Sequence, residues 1–257
     1  TNSARAVTNL KKVDAVLRMM EEVGIPLLIH GEQPMHGSEP LNPLKREPWY
    51  MKNELDRIRS RYPKLRISLE HISTKEAAAL IGKYGGPDLV ATVTPQHLVT
   101  HIGRTMNTTD GAYMPCAKDE EDMLSLRELI ASGCKWIHLG TDYAPHDEAS
   151  KSSVQCACGA FTPHAHELYL EAFEAAGCLN LYEDFACIRG PQFFGMEPLP
   201  GNMVFEKEEW QYHNFFTIQQ NAGSEPSNLM RPFGFRTRDE VANNLGQNRT
   251  MTWKRAA

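Results

Sequence analysis

The sequence predicts an α/β fold in which a parallel sheet is flanked by helices. Amphipathic helical stretches alternate with short apolar runs of strand length, and Gly or Pro separates one from the next. Successive apolar runs are also followed by residues able to do chemistry, namely His30, His71, His97 and Asp142. A parallel α/β sheet gathers its site at the C-terminal ends of its strands, so this pattern agrees with the first. Periodicity alone leaves a doubly wound sheet and a (β/α)8 barrel both open. Only four clear strands are legible, half of what a barrel needs.

The elements follow in order. Residues 8–23 place Val13, Val16, Leu17 and Met20 on one helical face, with Thr8 or Asn9 as the cap and Gly24 as the stop. Ile25–Ile29 is a first strand, ending in His30. Residues 49–62 are helical, with Met51, Leu55 and Ile58 at helical spacing, and Pro63 ends them. Leu65–Leu69 is the second strand, followed by Glu70 and His71, and Thr74–Tyr84 is a helix closed by Gly85 and Gly86. Leu89–Val93 is the third strand, leading to Thr94-Pro-Gln-His97. Acidic residues open a helix over 119–132, where they favour the helix dipole, and Gly133 closes it. Lys135–Leu139 is the fourth strand, running into Gly140-Thr-Asp142. Helices follow over 164–177 and 181–188, and residues 202–220 are mixed. Residues 1–222 read as one domain. Residues 223–257 are polar and read as a peripheral, loosely packed tail.

Composition excludes several classes. The chain has 257 residues, 41% of them hydrophobic and 23% charged, the mix of a globular domain. A formal net charge of −5 offers no basic surface for nucleic acid. No apolar run approaches the roughly 18 residues that span a bilayer, and the first residues lack a signal-peptide core. The expectation is a cytoplasmic protein with no nucleic-acid or membrane partner. Its cysteines, Cys116, Cys134, Cys156, Cys158, Cys178 and Cys187, are then reduced thiols, and Cys156 and Cys158 are too close together for a usual structural zinc spacing.

A single His at a strand end is as often structural as functional. Several on successive strands converge on one small volume. Imidazole nitrogen and carboxylate oxygen arriving from different strands suit zinc better than they suit a metal-free polar pocket. The segment Gly140-Thr-Asp142-Tyr-Ala-Pro-His146 is the most specific local feature, because a simple turn with Asp142 as a helix cap leaves the second ionisable residue unexplained.

Five segments, PLLIHGE (26–32), LEHISTK (69–75), ATVTPQHL (91–98), GTDYAPH (140–146) and GPQFFG (190–195), resemble in order and spacing the single-domain bacterial dihydroorotases of the amidohydrolase superfamily. The resemblance runs from Thr1 to about residue 205. It implies the C-terminal part of a (β/α)8 barrel, about strands 5–8 with their helices. It also implies zinc-dependent reversible hydrolysis of L-dihydroorotate to N-carbamoyl-L-aspartate in pyrimidine biosynthesis, carried out by a homodimer with two zinc ions per intact site. Residue by residue, His30 and His71 match the ligands of the more exposed zinc. Asp142 matches the ligand of the other zinc and the general acid/base. His146 matches a contact to the substrate carboxylate, Met114 a backbone contact to the ring, and Cys158 and Gly159 backbone contacts near the carboxylate. Thr1 falls on a mobile loop that closes over substrate. His97 lies in a family segment without being a ligand.

The chain departs from the family in what it lacks. A His-x-His pair on the first strand and a carbamylated lysine on the fourth would precede Thr1, and His164-Ala-His166 lies in the wrong place to replace the pair. The expectation is that strands upstream of Thr1 are missing. These residues alone would then expose an open sheet edge, bind at most one zinc weakly and not catalyse. The competing expectations are another cyclic amidohydrolase, such as a dihydropyrimidinase or hydantoinase, and a non-catalytic dihydroorotase-like scaffold.

Overall fold

A computed structural model describes residues 7, 9–106, 109–153, 158–211, 216–218, 228–230, 233 and 250–256. The Asn9 side chain accepts a hydrogen bond from the Lys11 N–H (3.0 Å) and starts a 3-10 turn, Leu10–Val13. Helix α1 (Asp14–Val23) continues to Gly24, whose φ of 77° supplies the left-handed stop. Strand β1 (Leu27–His30) follows, and a short hairpin, β2 (Met35–His36) with β3 (Glu39–Pro40), leads to α2 (Arg46–Tyr50). A π-helical segment, Met51–Leu55, joins α2 to α3 (Asp56–Arg61). The single helix expected over 49–62 therefore begins earlier and is widened in the middle, and Met51, Leu55 and Ile58 are all buried.

Strand β4 (Ile67–Glu70) precedes α4 (Lys75–Tyr84), which Thr74 caps by accepting from the Ala77 N–H. Then come β5 (Leu89–Val93), the short helices α5 (Pro95–Val99) and α6 (Ile102–Thr105), and α7 (Glu120–Ala131), which opens with a capping box between Asp119 and Asp122. Strand β6 (Ile137–Leu139) leads to α8 (Glu148–Lys151), α9 (Ala165–Ala175) and α10 (Arg189–Phe194). The final strands are β7 (Phe205–Gln211), β8 (Phe216–Ile218), β9 (Asn228–Met230) and β10 (Thr250–Arg255).

Strands β1, β4, β5 and β6 form one parallel sheet in that order, with Leu27 opposite Ile67, Ile67 opposite Leu89, and Ala91 opposite Ile137. Each strand is added on the same side of its predecessor. A doubly wound sheet reverses direction partway, whereas a (β/α)8 barrel does not, so these four strands are part of such a barrel. The core lies between the sheet and its helices. Leu69 and Ile137 from the strands, Ile81 and Leu126 from α4 and α7, and Tyr169 and Phe173 from α9 are all essentially without solvent exposure. Burial of each is worth roughly 1.5–3 kcal/mol. The Tyr169 hydroxyl keeps a partner in the core by donating to the Val93 carbonyl at 2.6 Å.

Nothing among the described residues pairs with the outer edge of β1, where Leu28 is 50% exposed and lines a surface cleft with the exposed Val16 of α1. The loose tail expected over 223–257 is corrected where the structure describes it. Strand β10 pairs antiparallel with β7, buries Met251 against Leu168, and receives a hydrogen bond from Trp210 Nε1 at the Trp253 carbonyl. Its apolar Met251 and Trp253 have a surface on α9 to cover, which a pattern of surrounding polar residues conceals. Among the described residues no helix is long and apolar enough to cross a membrane, and Cys116, Cys134, Cys178 and Cys187 are free thiols.

Candidate metal and substrate site

His30 ends β1 and His71 directly follows β4, its pairing neighbour. The two imidazoles meet edge to face, with His30 Nδ1 and His71 Nε2 3.0 Å apart. His71 sits at φ 45°, a left-handed conformation that a non-glycine residue adopts at a cost, and its N–H donates to the Thr92 hydroxyl at 2.6 Å. Burial, reinforced by the neighbouring His30, holds His71 well below its ordinary pKa and therefore neutral. A metal ligand must be neutral imidazole. The His71 Nδ1 is buried without a hydrogen-bond partner among the described residues. The facing nitrogens are close enough to share a hydrogen bond, and the same convergence from two neighbouring strands could hold one cation between them.

The Thr92 hydroxyl also donates to Glu70 Oε2 (3.0 Å), and Ser68 donates to Glu70 Oε1 (2.5 Å). Gly140 packs against the same threonine so closely that a Cβ there would lie 2.4 Å from Thr92 Cβ. Glycine is thus required at the end of β6 for the chain to turn past β5. Two residues later Asp142 takes φ 45°, the second non-glycine left-handed residue among those described. Its side chain opens to solvent, yet surrounding protein raises its carboxyl above the usual carboxylate range. The His30 imidazole pulls it down and Glu70 pushes it up.

Three expected substrate-binding segments are joined by backbone hydrogen bonds. The Ala144 N–H donates to the Ala160 carbonyl (3.0 Å), and the Gly159 N–H donates to the Ala112 carbonyl (3.1 Å), two residues before Met114. A Cβ on Gly159 would meet the Ala144 carbonyl at 2.3 Å and His146 Cδ2 at 2.8 Å. His146, Met114, Cys158 and Gly159 therefore line one loop cluster beside Asp142. Thr1 lies outside the described residues.

Other residues fall elsewhere. His97, read from sequence as a strand-end residue, sits inside α5. It is buried, with Nδ1 bonded to Thr94 Oγ1 (2.7 Å) and Nε2 to the Pro115 carbonyl (2.9 Å). Burial lowers it to a pKa of about 4. Both of its nitrogens are used structurally, which agrees with its exclusion from the ligands. His164 contacts Trp210, and His166 bonds the Tyr182 hydroxyl, both near the C-terminal strands. Among the described residues no group of three or more His, Cys, Asp or Glu side chains is set to hold a metal ion.

Sequence reasoning missed the groups behind the histidines. Glu32 Oε2 lies 3.2 Å from His30 Nε2, and Glu32 Oε1 accepts from the buried Lys118 ammonium at 3.1 Å. Burial pushes the Glu32 carboxyl up, but His30 and Lys118 outweigh it and hold the group at about 2. Glu47, fully buried, accepts from the Ser73 N–H (3.0 and 2.9 Å), the Ser73 hydroxyl and the Thr74 hydroxyl, fixing the loop after His71. The His-Gly-Glu spacing was a visible signal for Glu32; Glu47 and Lys118 carried none.

No family model matches the chain. A dihydroorotase from Aromatoleum aromaticum is 39% identical over 218 residues, which cover 82% of this chain and 61% of that protein. One from Synechococcus sp. is 39% identical over 216 residues, covering 81% and 61%. The chain thus spans about three-fifths of the length of the curated relatives it matches. Among solved structures, a Saccharomyces cerevisiae dihydroorotase in complex with 5-fluoroorotic acid superposes with a TM-score of 0.82 at 21% identity, covering 100% of this chain and 70% of that one. A Campylobacter jejuni dihydroorotase gives 0.75 at 22%, covering 99% and 68%. A D-hydantoinase from Thermus sp. gives 0.62 at 14%, covering 96% and 58%.

Proposed function

We propose, from a chain that belongs to the dihydroorotase family over the four-fifths of its length that its relatives cover, that the whole protein interconverts L-dihydroorotate and N-carbamoyl-L-aspartate as a zinc-dependent cyclic-amide hydrolase of pyrimidine biosynthesis. The observation that carries this reading is the convergence of His30 Nδ1 on His71 Nε2, at the ends of neighbouring parallel strands and in the field of Asp142.

His30 and His71 would hold one zinc and Asp142 the other. The remaining ligands of such a site would come from the part of the relatives' length that this chain does not span. Zinc, when bound, polarises the amide carbonyl and brings the pKa of water to about 7. Asp142 takes the proton of the attacking water and delivers it to the departing ring nitrogen. His146 and the backbone at Cys158 and Gly159 hold the substrate carboxylate, the Met114 backbone meets the ring, and the loop carrying Thr1 closes over both. Residues 1–222 belong to the hydrolase barrel, with 223–257 appended. The protein works as a cytoplasmic homodimer, without a nucleic-acid or membrane partner.

The hydantoinases are less similar to this chain than the dihydroorotases in both fold and sequence, which supports dihydroorotate over hydantoin or dihydrouracil as substrate. The test is to purify the full-length protein with zinc and compare hydrolysis of L-dihydroorotate, hydantoin and dihydrouracil. Turnover of L-dihydroorotate well above the other two is expected. Preference for either alternative ring, or no turnover by zinc-loaded protein, overturns the assignment.

A further inference from the structure

Behind His30 lies a buried ionic pair that the mechanism does not use. The Lys118 side chain is 1% exposed, and its ammonium donates to Glu32 Oε1 (3.1 Å) and the Pro43 carbonyl (3.0 Å), with Cys116 Sγ 3.7 Å away. The other Glu32 oxygen faces His30 Nε2 at 3.2 Å. One line of contacts therefore runs from Lys118 through Glu32 and His30 to His71. Burying an ammonium and a carboxylate costs several kcal/mol per ion before pairing, and apolar replacements are often equally stable, so packing alone does not account for the pair. The contacts themselves do more than pack. With Oε1 held by Lys118, Oε2 is left to accept the His30 Nε2–H. The imidazole is then fixed as the tautomer whose Nδ1 lone pair points toward His71.

We propose that Glu32 and Lys118 are positioning residues for His30, setting which of its nitrogens carries the proton and aiming Nδ1 at the zinc. This rests on the zinc reading above. It has a specific consequence. In Glu32→Gln the amide keeps its oxygen toward the Lys118 ammonium and turns its NH2 toward His30. The imidazole then accepts at Nε2 and carries its proton on Nδ1, where a cation cannot use it. Adding Lys118→Met removes the demand on the amide oxygen and lets it turn back to accept from His30.

The experiment uses full-length protein. Zinc affinity is measured by competition with a chromophoric chelator, the absorption spectrum is recorded with cobalt(II) in place of zinc, and the metal-free proteins are melted. Glu32→Gln is expected to weaken zinc binding about 10–100-fold and to alter the cobalt spectrum. The double variant is expected to bind zinc more tightly than Glu32→Gln alone. A folded Glu32→Gln with unchanged affinity and spectrum, or a double variant no better than the single, overturns the proposal. Should Glu32→Gln not fold, Lys118→Arg and Lys118→Met decide. Wild-type affinity in Arg with several-fold loss in Met supports the pair, and equal affinity in both overturns it. A wild type that takes up no zinc instead overturns the zinc reading on which the proposal stands.

Discussion

The backbone N–H of His71 donates to the hydroxyl of Thr92 at 2.6 Å, so the left-handed turn that aims one candidate ligand is braced from the adjacent strand. The same hydroxyl holds Glu70, and the turn at Gly140 passes directly over it. One small side chain thus organises the ends of three strands. Thr92→Val keeps the shape and removes the acceptor, leaving a buried N–H unpaired. The expected cost is about 1–3 kcal/mol in chemical denaturation, with weaker zinc retention measured by dialysis and metal analysis. Thr92→Ser should restore both, and a stable, zinc-replete Thr92→Val would show that the brace is dispensable.

Asp142→Asn leaves size and backbone geometry alone and removes the carboxylate proposed to accept the proton. In the full-length protein turnover of L-dihydroorotate should fall by about 10²–10⁴-fold, with an unchanged melting temperature. Near-normal turnover would mean that another group moves the proton.

Gly159→Ala places a methyl where 2.3 Å separates it from the Ala144 carbonyl and 2.8 Å from the His146 ring. The loops joined there must part, at a cost of roughly 1–3 kcal/mol. Because the candidate ligands His30 and His71 lie on other loops, the expected kinetic signature is a raised KM with the zinc assigned to those two histidines retained. A KM equal to wild type would detach this loop cluster from substrate binding.

Phe173→Ala empties a fully buried position where α9 meets Tyr182 and Phe185. Equilibrium denaturation should report a loss of roughly 3–5 kcal/mol. A loss under 1 kcal/mol would mean that the aromatic cluster collapses to fill the space.

The helix and strand order was legible because apolar runs such as Leu89–Val93 are buried on both faces and their ends are marked by Gly and Pro. His30, His71 and Asp142 were legible because strand ends are where a parallel sheet exposes chemistry. His97 misled at first, since a residue soon after a strand cannot be told from one at its end until the helix that contains it is seen. Lys118 and Glu47 were hidden for another reason. Each lies in a polar stretch that reads as surface, and only the folding together of distant loops buries them. The docking of β10 was hidden likewise, because its partner β7 lies far back along the chain.

That last pairing sets a timetable. A nascent chain lengthens by about 5–20 residues per second, so β7 and the face of α9 beneath it stay uncovered for roughly several seconds until residues 250–255 have been made. Until then Leu168 lacks the cover that Met251 of β10 gives it. The last strand of the chain is thus what closes a surface made about 40 residues earlier.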